Sequence, residues 1–440
     1  MGCTFDGNKL MILAPASVLG VWFALLLAKH LWETALDILN LRHAARGAPP
    51  PELATSIDAA THARMQSYTR TQGRLRIPAR WMRVLVTVAL VTTGAFGWLD
   101  TRLGELVQSG YIHGLLLLGA LSLLATLVGL PFAIYRIFTI ERRFGFNTMT
   151  WKTLLLDLLK GGALGVLLGV PLVLAVFLLL DYGGELWWLW AFAVVAAFQI
   201  LVSAIYPTFI APLFNKFTPL PDTPLRQRLG DMARRLQFPV RELQVMDGSR
   251  RSRHSNAYFA GLGRAKRIVL FDTLIEQLSD AQLEAVLAHE IGHEKRRHVL
   301  KRLAVSLILL LGAFWILDQA LDVDGVYQAF GFAGASAGIA ALLVVADLVS
   351  GPLLFLLNPL FSGWSRRQEF DADRFAVRAM GGDADMSGAL IRLSKDNLSN
   401  LAPHPWYSSY HYSHPPLIER LHGLSRAADS MHRPPTPVAT

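Results

Sequence analysis

Seven long, nearly uncharged apolar runs stand out in this sequence, and they point to a membrane. The hydrocarbon core of a bilayer is about 30 Å thick, so roughly 20 consecutive apolar helical residues are needed to cross it. Hydrophobic residues make up 52% of the chain and charged residues only 17%, which is too apolar for an ordinary water-soluble domain. The sequence therefore predicts seven membrane-spanning helices, at residues 10–28, 84–99, 114–135, 161–180, 186–214, 303–317 and 326–361.

Three of these predicted spans have weaker signals. Segments 84–99 and 303–317 are short, but Arg83 and Arg302 can extend their side chains to the membrane surface and let the helices continue. Segment 10–28 could instead be a cleaved signal peptide. Because no convincing cleavage site follows it, we favour a membrane span.

Basic residues are concentrated in alternate connections, which predicts an orientation. The net charge of +9 would suggest nucleic-acid binding in a soluble protein. Here, however, connections rich in Lys and Arg (29–83, 136–152, 216–302 and the tail from Arg366) alternate with connections that have few or none. The positive-inside rule then places the N-terminus outside and puts segment 216–302 and the C-terminal tail in the cytosol. We expect membrane lipid and no nucleic acid as partners.

Cys3 is the only cysteine in the chain. A single cysteine excludes an intrachain disulfide and a cysteine-based zinc site.

The predicted spans divide the chain into five regions. These are 1–214 with five spans, a soluble segment at 215–302, spans six and seven at 303–361, a second soluble segment at 362–426 and a disordered tail at 427–440. Within the first soluble segment, residues 243–246 and 268–271 have strand-like sequences. A helix follows that Ser279 and Gln282 can cap reciprocally, and the second segment begins with a helix over 368–380. The soluble part is thus predicted to be a small α+β domain.

The capped helix carries the sequence LAHEIGHEKRRH, which contains a metallopeptidase pattern. His289 and His293 are four residues apart, so both imidazoles point from one helix face at a common position and can bind one zinc ion. Glu290 is then placed to take a proton from water. A charged, solvated helix face is the alternative, but the match sits on a helix that leads directly into a predicted span.

A catalytic zinc ion usually has three protein ligands, so a third is expected elsewhere. His298 is a candidate, but the extended pattern of the metzincins needs a Gly and a His where this chain has Arg296 and Val299. His298 is therefore better interpreted as a residue at the membrane interface. Glu369, in SRRQEFDADRFA, is the best carboxylate candidate. Asp373 lies one helical turn further on the same face and could accept the free N–H of a ligating imidazole. On spacing alone, an ordinary charged surface helix is equally probable.

The chain resembles the type-I CaaX prenyl protease family of membrane zinc proteases over nearly its whole length. Besides HEIGH and EFDAD, the matching segments are ERRFGFN at 141–147, PTFIAPLFNKFTPL at 207–220, HSNAYFAG at 254–261, RIVLFDTLI at 267–275 and YSHPPLIERL at 412–421. A shorter related group, the membrane heat-shock zinc proteases, shares the HEIGH-type helix but has fewer spans. The length of this chain and its five N-terminal spans favour the first family.

The resemblance implies a mainly α-helical membrane protein, in which seven transmembrane helices enclose a large water-filled chamber with one zinc ion at its cytosolic end. It supports Glu369 as the third ligand and Asp373 as its neighbouring support. It also implies that His414 stabilises the oxyanion and that Arg420 is a structural partner of the acidic helix. The substrate would pair with an edge strand formed by Asn256, Ala257, Tyr258 and Phe259.

The resemblance further implies a substrate protein with a prenylated cysteine near its C-terminus, although some members cut other membrane-associated or misfolded peptides. Two other classes of function stay open at this point. One is a transporter with a structural zinc ion, using Asp347, Asp157 and Lys160; the other is an inactive scaffold, which the intact Glu290 disfavours. We expect a monomer in a bacterial inner membrane, or in the endoplasmic reticulum membrane if the source is eukaryotic.

Overall fold

Helices form most of the structure, a computed structural model that describes residues 14–44, 49–238, 242–260 and 267–432. Helices are the main elements in the first half of the described chain. It comprises α1 (Pro15–His43), α2 (Ala59–Thr92), α3 (Ala95–Leu106), α4 (Gly110–Tyr135), α5 (Trp151–Tyr182), α6 (Trp187–Ile205) and α7 (Ala211–Phe214). A π-helical turn follows α4 at Arg136–Glu141, and another joins α6 to α7 at Tyr206–Ile210.

The second half mixes short strands with helices before two more long membrane helices. In order, the elements are β1 (Phe217–Pro219), α8 (Pro224–Arg235), β2 (Glu242–Met246), β3 (Ala257–Ala260), β4 (Arg267–Phe271), α9 (Asp272–Gln277), α10 (Asp280–Lys295), α11 (His298–Ala320), α12 (Asp324–Gln328), α13 (Gly338–Leu354), α14 (Asn358–Met380), α15 (Ala384–Asp396), α16 (Pro405–His411) and α17 (Leu417–His432). The predicted tail at 427–440 is therefore helical over 427–432, and the rest of it lies outside the described residues.

Six helices in the described residues are long and apolar enough to cross a membrane, and a bent pair makes a seventh. The bent pair is α2 with α3, which meet at 64°. Gly94 forms the bend with a left-handed φ of +67°, and the chain passes so close to residue 331 that a Cβ at Gly97 would meet the carbonyl oxygen of Gly331 at 1.7 Å. Glycine is required where backbones approach in this way. The predicted span 84–99 thus crosses the bend of a much longer pair, from the last turns of α2 into the start of α3.

The last predicted span also differs from its observed bounds. The prediction for 326–361 is wrong at both ends, because α12 ends at Gln328 and the span-length helix begins only at Gly338. That helix continues through a 3-10 turn at Phe355–Leu357 into α14, so Gly338–Met380 is one helical segment of 43 residues. The predicted helix 368–380 is the C-terminal half of α14.

The membrane helices are arranged in a closed circuit. Contacts run from α1 to α2, α4, α5, α6, α11, α13 and back to α1. Only 6–11% of the residues are buried in the apolar 18-residue stretch of each of α1, α4, α5, α6 and α11. In the helix that contains α13, 44% of the residues in the corresponding stretch are buried. Most of the surface of these five helices is therefore free of protein contacts, so that it can face lipid or the space that the circuit encloses. The predicted fold class, a helical membrane protein with up to seven spans and a small sheet, is confirmed.

A four-stranded sheet in the order β1-β2-β4-β3 forms the soluble α+β part. The two strands expected from sequence lie within β2 and β4, which pair in parallel with Leu243 opposite Ile268. Strand β1 pairs antiparallel with β2, and β3 pairs antiparallel with β4, so β3 is an edge strand. Leu243, Ile268 and Leu270 pack with residues of α8 and α10 in one hydrophobic core, which holds α10 against the sheet.

Candidate active site

Helix α10 begins at the predicted cap. The Ser279 hydroxyl accepts a hydrogen bond from the backbone N–H of Gln282, and the Gln282 side chain accepts one from the backbone N–H of Ser279. This reciprocal pair satisfies two donors at the helix start. Leu283, Leu287 and Ile291 are buried in the core beneath the sheet. With that face anchored, the residues that carry chemistry face α14, which packs against α10.

His289, His293 and Glu369 lie together, with their candidate ligand atoms all within 4.8 Å of one another. The two Nε2 atoms are 3.1 Å apart, and the carboxylate oxygens of Glu369 lie 3.5 Å from His289 Nε2 and 3.4 Å from His293 Nε2. Ligand atoms bonded at about 2.0–2.1 Å to a tetrahedral metal ion lie roughly 3.4 Å from one another. The spacing of the three residues therefore fits a metal ion with one position left open.

The surroundings of Glu369 support the same conclusion. Glu369 is only 1% exposed, and within the described residues its buried Oε2 atom makes no well-oriented hydrogen bond, although His414 Nδ1 lies 2.8 Å away. A buried carboxylate without such partners is costly unless it binds a cation. Two nitrogen ligands and one oxygen ligand form a donor set typical of a catalytic metal site.

Asp373 and Arg420 support the first imidazole. His289 Nδ1 lies 2.8 Å from Asp373 Oδ1, which leaves Nε2 free to face the metal position. Arg420 donates to both carboxylate oxygens of Asp373, at 2.9 Å from Nε and 2.5 Å from Nη2. Asp373 is 1% exposed and Arg420 is largely buried. A carboxylate held in this way fixes the tautomer and orientation of a ligating histidine.

His298 supports the second imidazole, which the sequence did not suggest. Its Nδ1 atom lies 2.9 Å from His293 Nδ1, and the residue is 2% exposed at the start of α11. His298 is the first residue of α11, and its interpretation as a residue at the membrane interface stays a prediction. It does not belong to the metal cluster, because it contacts His293 Nδ1, whereas His293 Nε2 faces His289 and Glu369.

Glu290 and His414 lie beside the cluster. Glu290 is half-buried, and its burial raises the pKa of the carboxyl group, which makes it a better proton acceptor at neutral pH. His414 follows α16, and its side chain is 66% exposed with Nδ1 2.8 Å from Glu369 Oε2. Pro415 and Pro416 after it are buried, so the loop is anchored while the imidazole stays accessible.

The four predicted substrate-binding residues lie at the edge of the sheet. Ala257, Tyr258 and Phe259 are in β3, opposite Leu270, Val269 and Ile268 of β4. Asn256 precedes the strand, and its side-chain oxygen accepts a hydrogen bond from the Ala257 N–H. The other edge of β3 pairs with no strand among the described residues, so it can accept an extended peptide.

One network beside this strand was missed at the sequence level. Tyr68 donates to Glu141, at 2.9 Å from Oε2, and both contact His254 just before β3. His254 Nδ1 in turn lies 3.0 Å from Asn397 Oδ1. The segments ERRFGFN and HSNAYFAG contain two of these residues, but nothing in the sequence shows that they meet. The network joins α2, the π-helical turn, the edge strand and α15.

The residues considered for a transporter pathway have mostly structural surroundings. Arg251 donates to both oxygens of Asp157 at 2.8 Å, and Lys160 donates to the Leu213 carbonyl at 2.7 Å. Asp347 is exposed and lines a cavity of about 380 Å³ between α2, α4 and α13. An acidic residue that faces an open interior accounts for this without a transport pathway.

Family models match nearly the whole chain. Residues 39–216 match the model described as CAAX prenyl protease N-terminal, five membrane helices, and residues 219–428 match the model of peptidase family M48.

Similar proteins extend over the same length. A CAAX prenyl protease 1 homolog from Oryza sativa subsp. japonica is 35% identical over 90% of this chain and 95% of its own length. The CAAX prenyl protease 1 of Saccharomyces cerevisiae is 34% identical over 92% and 94%, respectively. The crystal structure of S. mikatae Ste24p superimposes with a TM-score of 0.86 at 32% identity, covering 92% of this chain and 99% of that one. The chain therefore belongs to peptidase family M48 and is a multi-pass membrane metallopeptidase.

Proposed function

We propose that this protein is a zinc endopeptidase whose substrates are membrane-associated CaaX proteins. It would cleave them near the C-terminus, directly after the prenylated cysteine. The observation that carries the proposal is the cluster of His289, His293 and Glu369 with Glu290 beside it. The names of the similar proteins supply the substrate class. A quality-control protease that needs no prenyl group is the alternative that the same site would serve.

His289, His293 and Glu369 would hold one zinc ion, which supplies Lewis acidity at the scissile carbonyl when bound. Glu290 takes the proton from the attacking water and returns it to the leaving amine. His414 donates an N–H to the oxyanion as the carbonyl becomes tetrahedral. Strand β3 fixes the peptide in an extended conformation through backbone hydrogen bonds. Asp373 and Arg420 keep the His289 ring oriented.

We also propose the orientation in which the N-terminus is outside and the soluble segments are cytosolic, because basic connections alternate along the chain. The predictions of a monomer and of a bacterial inner membrane, or of the endoplasmic reticulum if the source is eukaryotic, stay predictions.

The test compares zinc content and cleavage in purified variants. The wild type should contain about one zinc ion per chain and release the C-terminal peptide from a prenylated peptide in liposomes. His289→Ala should lose the metal, whereas Glu290→Gln should keep it and lose roughly 100- to 10,000-fold in turnover, because only the proton transfer is removed. An unprenylated peptide of the same sequence separates the two substrate classes. Full turnover in Glu290→Gln would contradict the proposed mechanism.

A further inference from the structure

A cavity of about 610 Å³ borders the candidate active site and has no role in the mechanism described so far. It lies between α2, α15 and α16 and reaches the site at His414 and Arg420. We call it the α2 cavity, because Tyr68, Gln72 and Arg76 of that helix line it. Its volume is in the range of sites that hold a small ligand or a short peptide.

The ionisable side chains that line the α2 cavity include basic groups but no carboxylate among the described residues. Among the described residues that line it there are two arginines and two histidines but no Asp or Glu. Arg420 is already paired with Asp373. Arg76 remains as the cation of the cavity, and amide side chains such as Asn397 and Asn400 line the wall with it. Such a lining favours a ligand that is both polar and anionic.

Arg76 is held in place by two hydrogen bonds from one nitrogen atom, and its other donors face no partner among the described residues. Within the described residues, the hydrogen bonds of Arg76 all use Nη1, which donates to Asp37 Oδ1 at 3.2 Å and to the Tyr407 hydroxyl. Asp37 is 2% exposed and also pairs with Arg80 at 2.8 Å, so this carboxylate stays in position without Arg76. The Arg76 side chain is 40% exposed. Its Nε and Nη2 donors can therefore bind a carboxylate in two parallel hydrogen bonds.

The α2 cavity also lies at a defined end of the edge strand. Asn397, in its wall, accepts a hydrogen bond from the backbone N–H of Ser255 at 3.3 Å and contacts His254. Both residues lie within three positions of the start of β3 at Ala257. A peptide that pairs antiparallel with β3 has its carboxyl end at the amino end of that strand, and this end leads toward the α2 cavity.

We propose that the α2 cavity receives the residues beyond the scissile bond and that Arg76 binds the terminal carboxylate of the substrate. This inference rests on the proposed function, and it explains how the peptidase would select bonds close to a free C-terminus over bonds within a long chain. The walls would accept a few residues, and the guanidinium would recognise the chain end by its charge.

The experiment measures binding, so that it does not depend on turnover. Two peptides of one sequence, one with a free C-terminal carboxylate and one with a C-terminal amide, are titrated against zinc-loaded Glu290→Gln protein by fluorescence anisotropy. The carboxylate form should bind about 10- to 100-fold more tightly, because the amide loses charge-assisted hydrogen bonds. Adding Arg76→Gln should reduce this preference to near unity by weakening only the carboxylate form.

Two matched variants isolate the role of Arg76. Arg74→Gln removes the same charge from an exposed position on α2 outside the cavity and should keep the preference. Tyr407→Phe removes the contact to Nη1 but leaves the guanidinium, and it should also keep most of the preference. If Tyr407→Phe abolished the preference as fully as Arg76→Gln, Arg76 would act by positioning α16 instead.

The outcomes distinguish this inference from the proposed function. Equal binding of the two peptides to a protein that still cleaves the prenylated substrate would overturn the carboxylate site and leave the peptidase intact. An effect of Arg76→Gln that appears only in vesicles of anionic lipid would also overturn it, because the cavity would then bind a lipid head group.

Discussion

The two imidazoles that face the metal position have different supports. His289 is held by the carboxylate of Asp373, which Arg420 in turn fixes, whereas His293 is held by the neutral ring of His298. A carboxylate partner raises the basicity of a ligating histidine more than a neutral ring does. His289 therefore has the stronger support, from Asp373 and from Arg420 of α17, and His293 has the weaker support, from His298 of α11.

A group that donates a hydrogen bond to the oxyanion contributes only when the tetrahedral state forms, and we expect His414 to behave in this way. We expect His414→Ala to keep zinc and peptide binding but to lower kcat roughly 100-fold or more, because the negative charge that it meets forms only in the tetrahedral state. Steady-state kinetics with a fluorogenic peptide, together with zinc analysis, would measure both properties. A raised KM with unchanged kcat would instead make His414 a docking residue, and a loss of zinc would make it a ligand.

At the scale of elements, the close crossing of α10 and α14 brings the candidate metal-binding residues together. The crossing point is Gly292, where an added Cβ would meet the backbone of Ala372 at 3.1 Å and the Cβ of Phe375 at 3.1 Å. His293 follows Gly292 directly, and Glu369 and Asp373 flank the contact on α14. The distance between the two helices thus sets the distance between the ligands.

Gly292→Ala should therefore disturb the site although it changes no ligand. We expect a loss of about 1–2 kcal/mol in stability, because crowding against backbone atoms outweighs the gain in helix propensity. Zinc affinity should fall as well. Gly230→Ala on α8 is the matched control, since its Cβ would meet only the flexible end of Arg234 at 3.6 Å and should not destabilise. Thermal unfolding in detergent and zinc titration would measure these effects, and equal melting temperatures for both variants would contradict them.

At the scale of the whole molecule, the soluble site is built on helices that continue from the membrane. Helix α14 continues the span that starts at Gly338 through the 3-10 turn at Phe355–Leu357, and α10 leads into α11 through a turn at Arg297 with φ of +55°. The three candidate metal-binding residues therefore lie on α10 and α14, which are joined to two different membrane helices.

The proposed orientation can be tested with two engineered cysteines in a Cys3→Ser background. Glu185→Cys, in the exposed turn between α5 and α6, should react with a membrane-impermeant thiol reagent added outside intact cells. Asp222→Cys, exposed between β1 and α8, should react only after the cells are opened. The expectation follows from the alternation of basic connections, and the opposite labelling pattern would place the active site on the other face.

The sequence by itself determined the features that depend on neighbouring residues. Membrane spans follow from runs of apolar residues, the helix start follows from Ser279 and Gln282, and the pairing of His289 with His293 follows from a spacing of four. Each of these is a local rule, and the helices and strands appear where the rules place them, apart from their bounds. The family resemblance added residues that no spacing could assign, such as His414 and Arg420.

Only the tertiary structure decided which distant residues meet. Spacing left Glu369 no better than an ordinary charged helix, and it gave no sign of the contact between His298 and His293, because that contact depends on how α11 is placed beside α10. Nothing in the sequence connects Arg76 with Tyr407, which are 331 residues apart, or shows that both line one cavity with Asn397 whose described lining has no acidic residue. These contacts depend on how the helices are packed around the open interior, and packing is a property of the complete chain that no local pattern encodes.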